Sequence, residues 1–297
     1  MKKLLIPVDF SETSEAAVDF GMQLAAVLDY EVMLHHALDL VEDDNRFYAL
    51  SQDKVHRDLY DEDMMEQKER KVSDFYKKWN TKNVKSSIHL TIGSMIDDIQ
   101  ELVKLYDVKL VVMGTKGASG LKELFVGSNA EKVVRYLHCP VIAIHGHADP
   151  AHIKRILVPV DLDNLLPSFL REMRHLHDLF EAEMEFVWVQ SPHHSEPFET
   201  LVDEFEQVLK AYEVPGTFSI IRDALPHAGI LNYANDVEAD LVAMATHHRS
   251  GVAHLFLGSV TEDVLNHLHV PLWTFSLNRD EEPIRLVNFR KGNEAFV

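Results

Sequence analysis

The chain has 297 residues, of which 46% are hydrophobic and 26% charged, and a formal net charge of -19. That length gives room for two domains with cores of their own, and the composition excludes a disordered chain. The negative field excludes nucleic acid and anionic membrane surfaces as general partners, so any anionic ligand has to be held by local backbone donors.

The amino terminus, MKKLLIPVDF, has a brief apolar run that Asp9 ends, too short for the apolar core of a signal peptide. No run approaches the ~18 apolar residues of a membrane span, and the expectation is a cytoplasmic protein. Short β-branched runs then alternate with helical periodicity, which argues for a parallel sheet flanked by helices. In the first half the strands are expected at residues 3–8, 31–38, 85–91, 110–113 and 141–144. The helices between them are expected at 14–28, 53–79, 95–106 and 128–137. Ser11 or Ser14 is a candidate cap for the first helix and Ser128 for the last. In the charged helix Leu59, Met65, Val72, Phe75 and Trp79 recur at helical spacing, which reads as a buried stripe with a solvated face. Cys139, the only cysteine, excludes an intrachain disulfide. In HCPVIAI it reads as a small buried hydrophobe rather than a reactive thiol.

The second half repeats the first in the same order. KKLLIPVDF returns as IKRILVPVDL, VKLVVMGTKG as EADLVAMATHH, and GSNAEKVVRYLHCPVIAI as GSVTEDVLNHLHVPLWTF. The fold class is therefore α/β, with two repeats of an open five-stranded parallel sheet flanked by helices. The expected domains are residues 1–147 and 152–276, joined near HGHADPAH, with a tail at 277–297. The second helix of the second repeat is shorter, near 196–212. In the tail IRLVNF reads equally as an edge strand or as a segment packed on the surface.

In open parallel sheets ligands bind beyond the carboxyl ends of the strands, where strand order reverses. Two segments of the first repeat should meet there, PVDFS and the loop in MGTKGASGLKELFVGSNAEK. Glycines allow backbone N–H groups to approach a phosphate, and the helix start Gly127-Ser128-Asn129 adds unpaired donors and a positive dipole end. Lys116 or Lys122 would add screened positive charge. The loop has neither the G-x-x-x-x-G-K-[ST] pattern nor G-x-G-x-x-G after a first strand. On residues alone, a phosphate cradle and a plain surface loop fit equally.

The spacing G114-x-x-G117-x9-G127-S128 after an apolar strand, with PVDFS at the end of the first strand, resembles the nucleotide-binding pattern of the universal stress protein family. LHCPVIAI and LHVPLWTF are similar to that family's last turn and strand, so the resemblance covers both repeats. It implies a Rossmann-like sheet in each domain, the two domains packed as an internal pseudo-dimer, and leaves a homodimer open. It further implies ATP or a related adenine nucleotide, with or without Mg, in the first domain. Matched by position, Asp9 would meet the adenine edge beside Pro7 and Val8, and Ala37 would line the base or ribose through its backbone. Met113 and Gly114 would support the ribose, while Gly117, Gly127, Ser128 and Asn129 would hold the phosphates. Asn129 departs from the small apolar or hydroxyl residue common in the family. Helix capping or strand-end placement is the plain alternative for Asp9, and core packing is the plain alternative for Met113.

In the second repeat Gly114 and Gly117 are replaced by Ala245 and His248, whereas Asp161 and Gly258-Ser259 persist. A Cβ and an imidazole would obstruct the phosphate space, and Asp163 adds negative charge, so this copy is expected to bind ATP poorly. His193, His194, His247, His248 and His254 invite a metal reading, but no C-x-x-C or H-E-x-x-H frame supports one. The leading expectation is a stress-response protein that binds nucleotide in its first domain, with a structural or partner-binding second domain, rather than an enzyme. The alternatives are a slow ATPase switch, or a scaffold without nucleotide that carries a histidine-rich metal site.

Overall fold

The computed structural model describes residues 1–38, 62–115, 128–137, 139–190, 199–246, 259–277 and 281–286. They divide into two compact units, the second of which takes residues 134–143 as well as the chain from Ala148 onward.

The first unit contains β1 (Lys3–Pro7), α1 (Glu12–Leu28), β2 (Glu31–Leu38), α2 (Glu62–Lys77), β3 (Ser86–Ile92), α3 (Met95–Tyr106) and β4 (Val108–Gly114). Its strands run parallel in the order β3-β2-β1-β4, with Leu5 opposite both Met33 and Val111. Leu4, Leu5 and Ile6 are fully buried, as expected of a central strand covered on both faces. The helix α1 forms because Ala16, Ala17, Phe20 and Leu24 make one buried stripe and Glu12 and Glu15 favour its amino end. It stops at Asp29, whose left-handed conformation (φ 53°) returns its N–H to the Ala25 carbonyl. Because β1 leads to β2 and β3 on one side and adjoins β4 on the other, strand order reverses at the carboxyl ends of β1 and β4.

Helix α4 (Ser128–Tyr136) begins in the first unit, and β5 (Val141–Ile144) lies in the second except for Ile144. The second unit continues with β6 (Arg155–Pro159), a 3-10 turn at Leu162–Asn164, α5 (Pro167–Phe180), β7 (Glu183–Gln190) and α6 (Glu199–Ala211). It then adds β8 (Thr217–Arg222), α7 (Pro226–Asp236), β9 (Leu241–Thr246), α8 (Ser259–His267) and β10 (Leu272–Ser276). The strand order is β5-β10-β9-β6-β7-β8, parallel throughout except that β10 runs antiparallel to β5, with Trp273 opposite Ile142.

Element positions follow the sequence reading to within one or two residues at most described ends, and the helix starts expected at 53 and 196 lie outside the described residues. The strand expected at 110–113 is longer at both ends, because Val108 and Gly114 continue its backbone pairing. Val72 is fully buried in α2, whereas Phe75 and Trp79 are half-buried. Leu59 and the side chain of Met65 lie outside the described residues. Cys139 is half-buried, not enclosed as the sequence suggested, since it precedes the buried part of β5. The described part of the tail packs without forming a strand. The Ile284 N–H donates to the Leu165 carbonyl at 2.7 Å, and Leu286 is buried.

Candidate functional site

The carboxyl end of β1 is built by hydrogen bonds that its sequence supplies locally. Asp9 is exposed, and its Oδ1 accepts from the Ser11 N–H at 3.0 Å and the Ser11 hydroxyl at 2.6 Å. Ser11 Oγ in turn accepts from the Ser14 N–H at 3.1 Å and caps α1, while the Asp9 N–H donates to Ser14 Oγ at 3.2 Å. Both serines foreseen as caps therefore belong to one network, and the Asp9 carboxylate organises the turn. Between them Phe10 adopts φ 65°, a left-handed conformation that an aromatic residue keeps only when its surroundings hold it. Its ring lies edge-on to His36 (4.8 Å between centroids) and Phe75 (5.3 Å), with Lys71 Nζ 4.1 Å from its centroid.

Pro7 and Val8 are buried, and Val8 extends the β1–β2 ladder by donating its N–H to the His35 carbonyl at 2.7 Å. His36 Nδ1 meets the Val8 carbonyl at 2.7 Å, so this nitrogen carries the proton and the ring pins the strand end. Burial, and after it Lys68 and Lys71, lowers the His36 pKa. Ala37 is half-buried near the end of β2, and Met113 is buried near the end of β4.

Gly114 ends β4 against the start of α1. A Cβ there would fall 2.6 Å from the Thr13 carbonyl carbon and 2.8 Å from the Ser14 nitrogen, both backbone atoms. This position requires glycine for close approach between strand end and helix. The next residue, Thr115, is buried, and its N–H and hydroxyl both donate to the Ile144 carbonyl, at 3.0 and 3.3 Å.

Six of the ten residues matched in the sequence thus gather at the carboxyl ends of β1, β2 and β4: Pro7, Val8, Asp9, Ala37, Met113 and Gly114. Ser128 is the first residue of α4 and not a residue preceding it, and Asn129 is exposed in the first turn. Gly117 and Gly127 lie outside the described residues, as do Lys116, Lys122 and the histidines at 193, 194, 247, 248 and 254.

A buried polar chain that the sequence reading did not single out lies behind this end of the sheet. His35 is fully buried, and its Nε2 is 2.8 Å from Thr91 Oγ1, whose proton goes to Asp98 Oδ2 at 2.6 Å. Because Thr91 donates to Asp98, it must accept from His35, which puts the imidazole proton on Nε2. Nδ1 is left buried without a partner among the described residues. Burial, helped by His36 and His89, holds the His35 pKa down to about 4, outweighing the Asp98 carboxylate 4.0 Å away.

The second unit repeats part of this design. Asp161 Oδ1 accepts from the Asp163 N–H at 3.1 Å and Oδ2 from the Asn164 amide at 2.7 Å, so both aspartates shape the turn after the first strand. The buried Thr246 hydroxyl donates to the Phe275 carbonyl at 3.1 Å, much as Thr115 does to Ile144. The start of α5 is different. It comes after the extra 3-10 turn, and its Ser168 N–H donates to the Glu281 carboxylate of the tail at 2.6 Å. A shallow depression near Gly216 lies at the amino ends of the strands, and its Arg174 is already paired with Asp178 and the Glu213 carbonyl. Among the described residues no helix is long and apolar enough to cross a membrane. No group of three or more His, Cys, Asp or Glu side chains among them is placed to hold a metal ion.

Comparison with known proteins matches the model of the universal stress protein family to residues 1–145 and again to 152–276. A universal stress protein of Methanocaldococcus jannaschii is 30% identical over 146 residues, covering 48% of this chain and 81% of that protein. A universal stress protein of Mycolicibacterium smegmatis is 22% identical over 304 residues, covering 91% of this chain and 95% of the other. Among solved structures, a universal stress protein from Archaeoglobus fulgidus aligns over 92% of this chain and 98% of its own, with a TM-score of 0.73 and 21% identity.

Proposed function

The chain belongs to the universal stress protein family, with two family domains in tandem, and on that premise we propose that its first repeat binds ATP or a related adenine nucleotide. The proposed domains are residues 1–147 and 152–276. The supporting observation is the convergence of Pro7, Val8, Asp9, Ala37, Met113 and Gly114 at the reversal of strand order. In this reading the base lies beside Pro7, Val8 and the backbone of Ala37, its edge toward Asp9, and the ribose lies over Met113 and Gly114. The phosphates take backbone donors from Gly117, Gly127, Ser128 and Asn129. The amino end of α4 fits that role, because the first N–H groups of a nine-residue helix have no intrahelical partner. Such donors suit a chain whose net charge of -19 repels anions at long range.

Binding without hydrolysis is the favoured reading, because Asp9 is the only acidic side chain among the ten matched residues and none of the others could hold Mg²⁺ as a carboxylate or orient water as a base. The second repeat serves as a structural or partner-binding half. The test is calorimetric titration of ATP into the intact chain and into Gly117→His, which copies His248 into the first repeat. The expected result is one site per chain, weakened roughly 10- to 100-fold in the variant by loss of a phosphate contact. Two equivalent sites, or equal affinity in the variant, would refute the reading.

A further inference from the structure

The second unit has a cavity of about 330 Å³ at its own reversal of strand order, at the carboxyl ends of β6, β7 and β9. That volume is near the lower end of small-molecule sites, which span ~300–1,000 Å³. Its chemistry differs from that of the matching region in the first repeat. Strand register equates Val187 with His35 and Ile221 with Thr91, since Pro7 faces His35 as Pro159 faces Val187, and Ala37 faces Thr91 as Val189 faces Ile221. The imidazole and hydroxyl of the first repeat have become two aliphatic side chains. Val187, Val189, Met244 and Ala245 line the cavity from the strands, and Phe169 and Ile230 line it from α5 and α7.

The polar side chains among the described lining residues are few: Asp161, Asn164, Trp188 and Thr261. No lysine or arginine is among the described residues that line it. Asp161, at its edge, holds a negative charge, and its two oxygens each accept one hydrogen bond from the turn. The tail closes the α5 side: Leu277 lines the cavity, and Ile284 is hydrogen-bonded to the lining residue Leu165. The α5 amino end is occupied too, by the Glu281 carboxylate. Among the described residues a phosphate beside Asp161 would meet its carboxylate and no lysine or arginine, which leaves only the backbone donors at the start of α8, where Val260 and Thr261 line the cavity, to offset its desolvation. An uncharged ring loses no such solvation, and it gains contacts with the Phe169 ring and the Met244 thioether. Each Asp161 oxygen also keeps a second lone pair for one ligand N–H or O–H.

We infer that the second repeat is a binding site for a compact uncharged aromatic molecule that carries a hydrogen-bond donor, and not for a nucleotide. The experiment titrates the neutral fluorophore N-phenyl-1-naphthylamine into the intact chain, with and without saturating ATP. Ala245→Leu and Ile230→Phe each fill the cavity, and circular dichroism identifies which variant keeps its fold. Saturable binding of one fluorophore per chain is expected, unaffected by ATP and by Gly117→His. In each folded variant it should weaken roughly tenfold or more, because added side-chain volume excludes the ring. Absence of saturable binding, displacement by ATP, or unchanged affinity in a folded cavity-filling variant would overturn the inference. Because Gly117→His acts only on the first repeat, failure of the ATP reading would leave this result intact.

Discussion

Gly114→Ala is the most direct test of how the first crevice is assembled. The added methyl would sit 2.6 Å from the Thr13 carbonyl carbon, 2.7 Å from its oxygen and 2.8 Å from the Ser14 nitrogen. These distances fall roughly 1 Å inside the ~3.5 Å at which such atoms attract best. All three neighbours are backbone, so no side chain can swing away, and the start of α1 must part from the end of β4. Overpacking of this kind costs about 1–3 kcal/mol. At ~2–4 °C per kcal/mol, the first unit should melt roughly 2–12 °C earlier. The assay is scanning calorimetry of the ligand-free chain, with the second unit's transition as internal reference. A shift below ~1 °C would refute the close-approach argument. Loss of nucleotide affinity at unchanged stability would instead assign Gly114 to the ligand.

Two further outcomes follow from the buried and tail contacts. His35 is neutral in both folded and unfolded chains above its ordinary pKa of 6.5, and contributes no slope there. Between 6.5 and about 4 only the unfolded chain takes up the proton, so stability should fall as pH falls, by roughly 3 kcal/mol in all. His36 and His89, also shifted down by burial, add to the same trend. Urea unfolding of His35→Leu across this range should show a shallower dependence, and an unchanged slope would count against the buried neutral imidazole. Glu281→Ala should speed hydrogen exchange at the Ser168 and Ile284 amides, because it removes the carboxylate that clips the tail to α5. The local loss is about 0.5–1 kcal/mol, the value of a helix cap, and unchanged protection would mean that the clip does not form in solution.

Repetition made most of this architecture readable, because a pattern seen twice in the same order separates strands from short buried helix turns. The apolar runs of β2 and β5 and the periodicity of α3 left no competing reading, and their limits agree with those expected. Asp9 and the serines at 11 and 14 were legible as turn and cap chemistry, although not that one network would join all three. The His35–Thr91–Asp98 chain was not legible, since it joins residues 56 and 7 positions apart that meet only once β2, β3 and α3 are packed. A faint signal existed in register: His35 and Thr91 of the first repeat stand where the second has Val187 and Ile221. The role of Glu281 was equally hidden, because nothing in a tail sequence tells which helix start it will reach.

The antiparallel pairing of β5 with β10 has a consequence for the order of folding. Residues 141–143 find their partners at 272–274, so on a ribosome that strand waits until β10 has emerged. Pairing across such a sequence separation is slow, and it leaves hydrophobic strand edges open in the meantime. The place where the gene repeats and the place where the molecule can be divided are therefore not the same. A fragment starting at Ala148 would lack β5 and bare one edge of β10, an invitation to self-association.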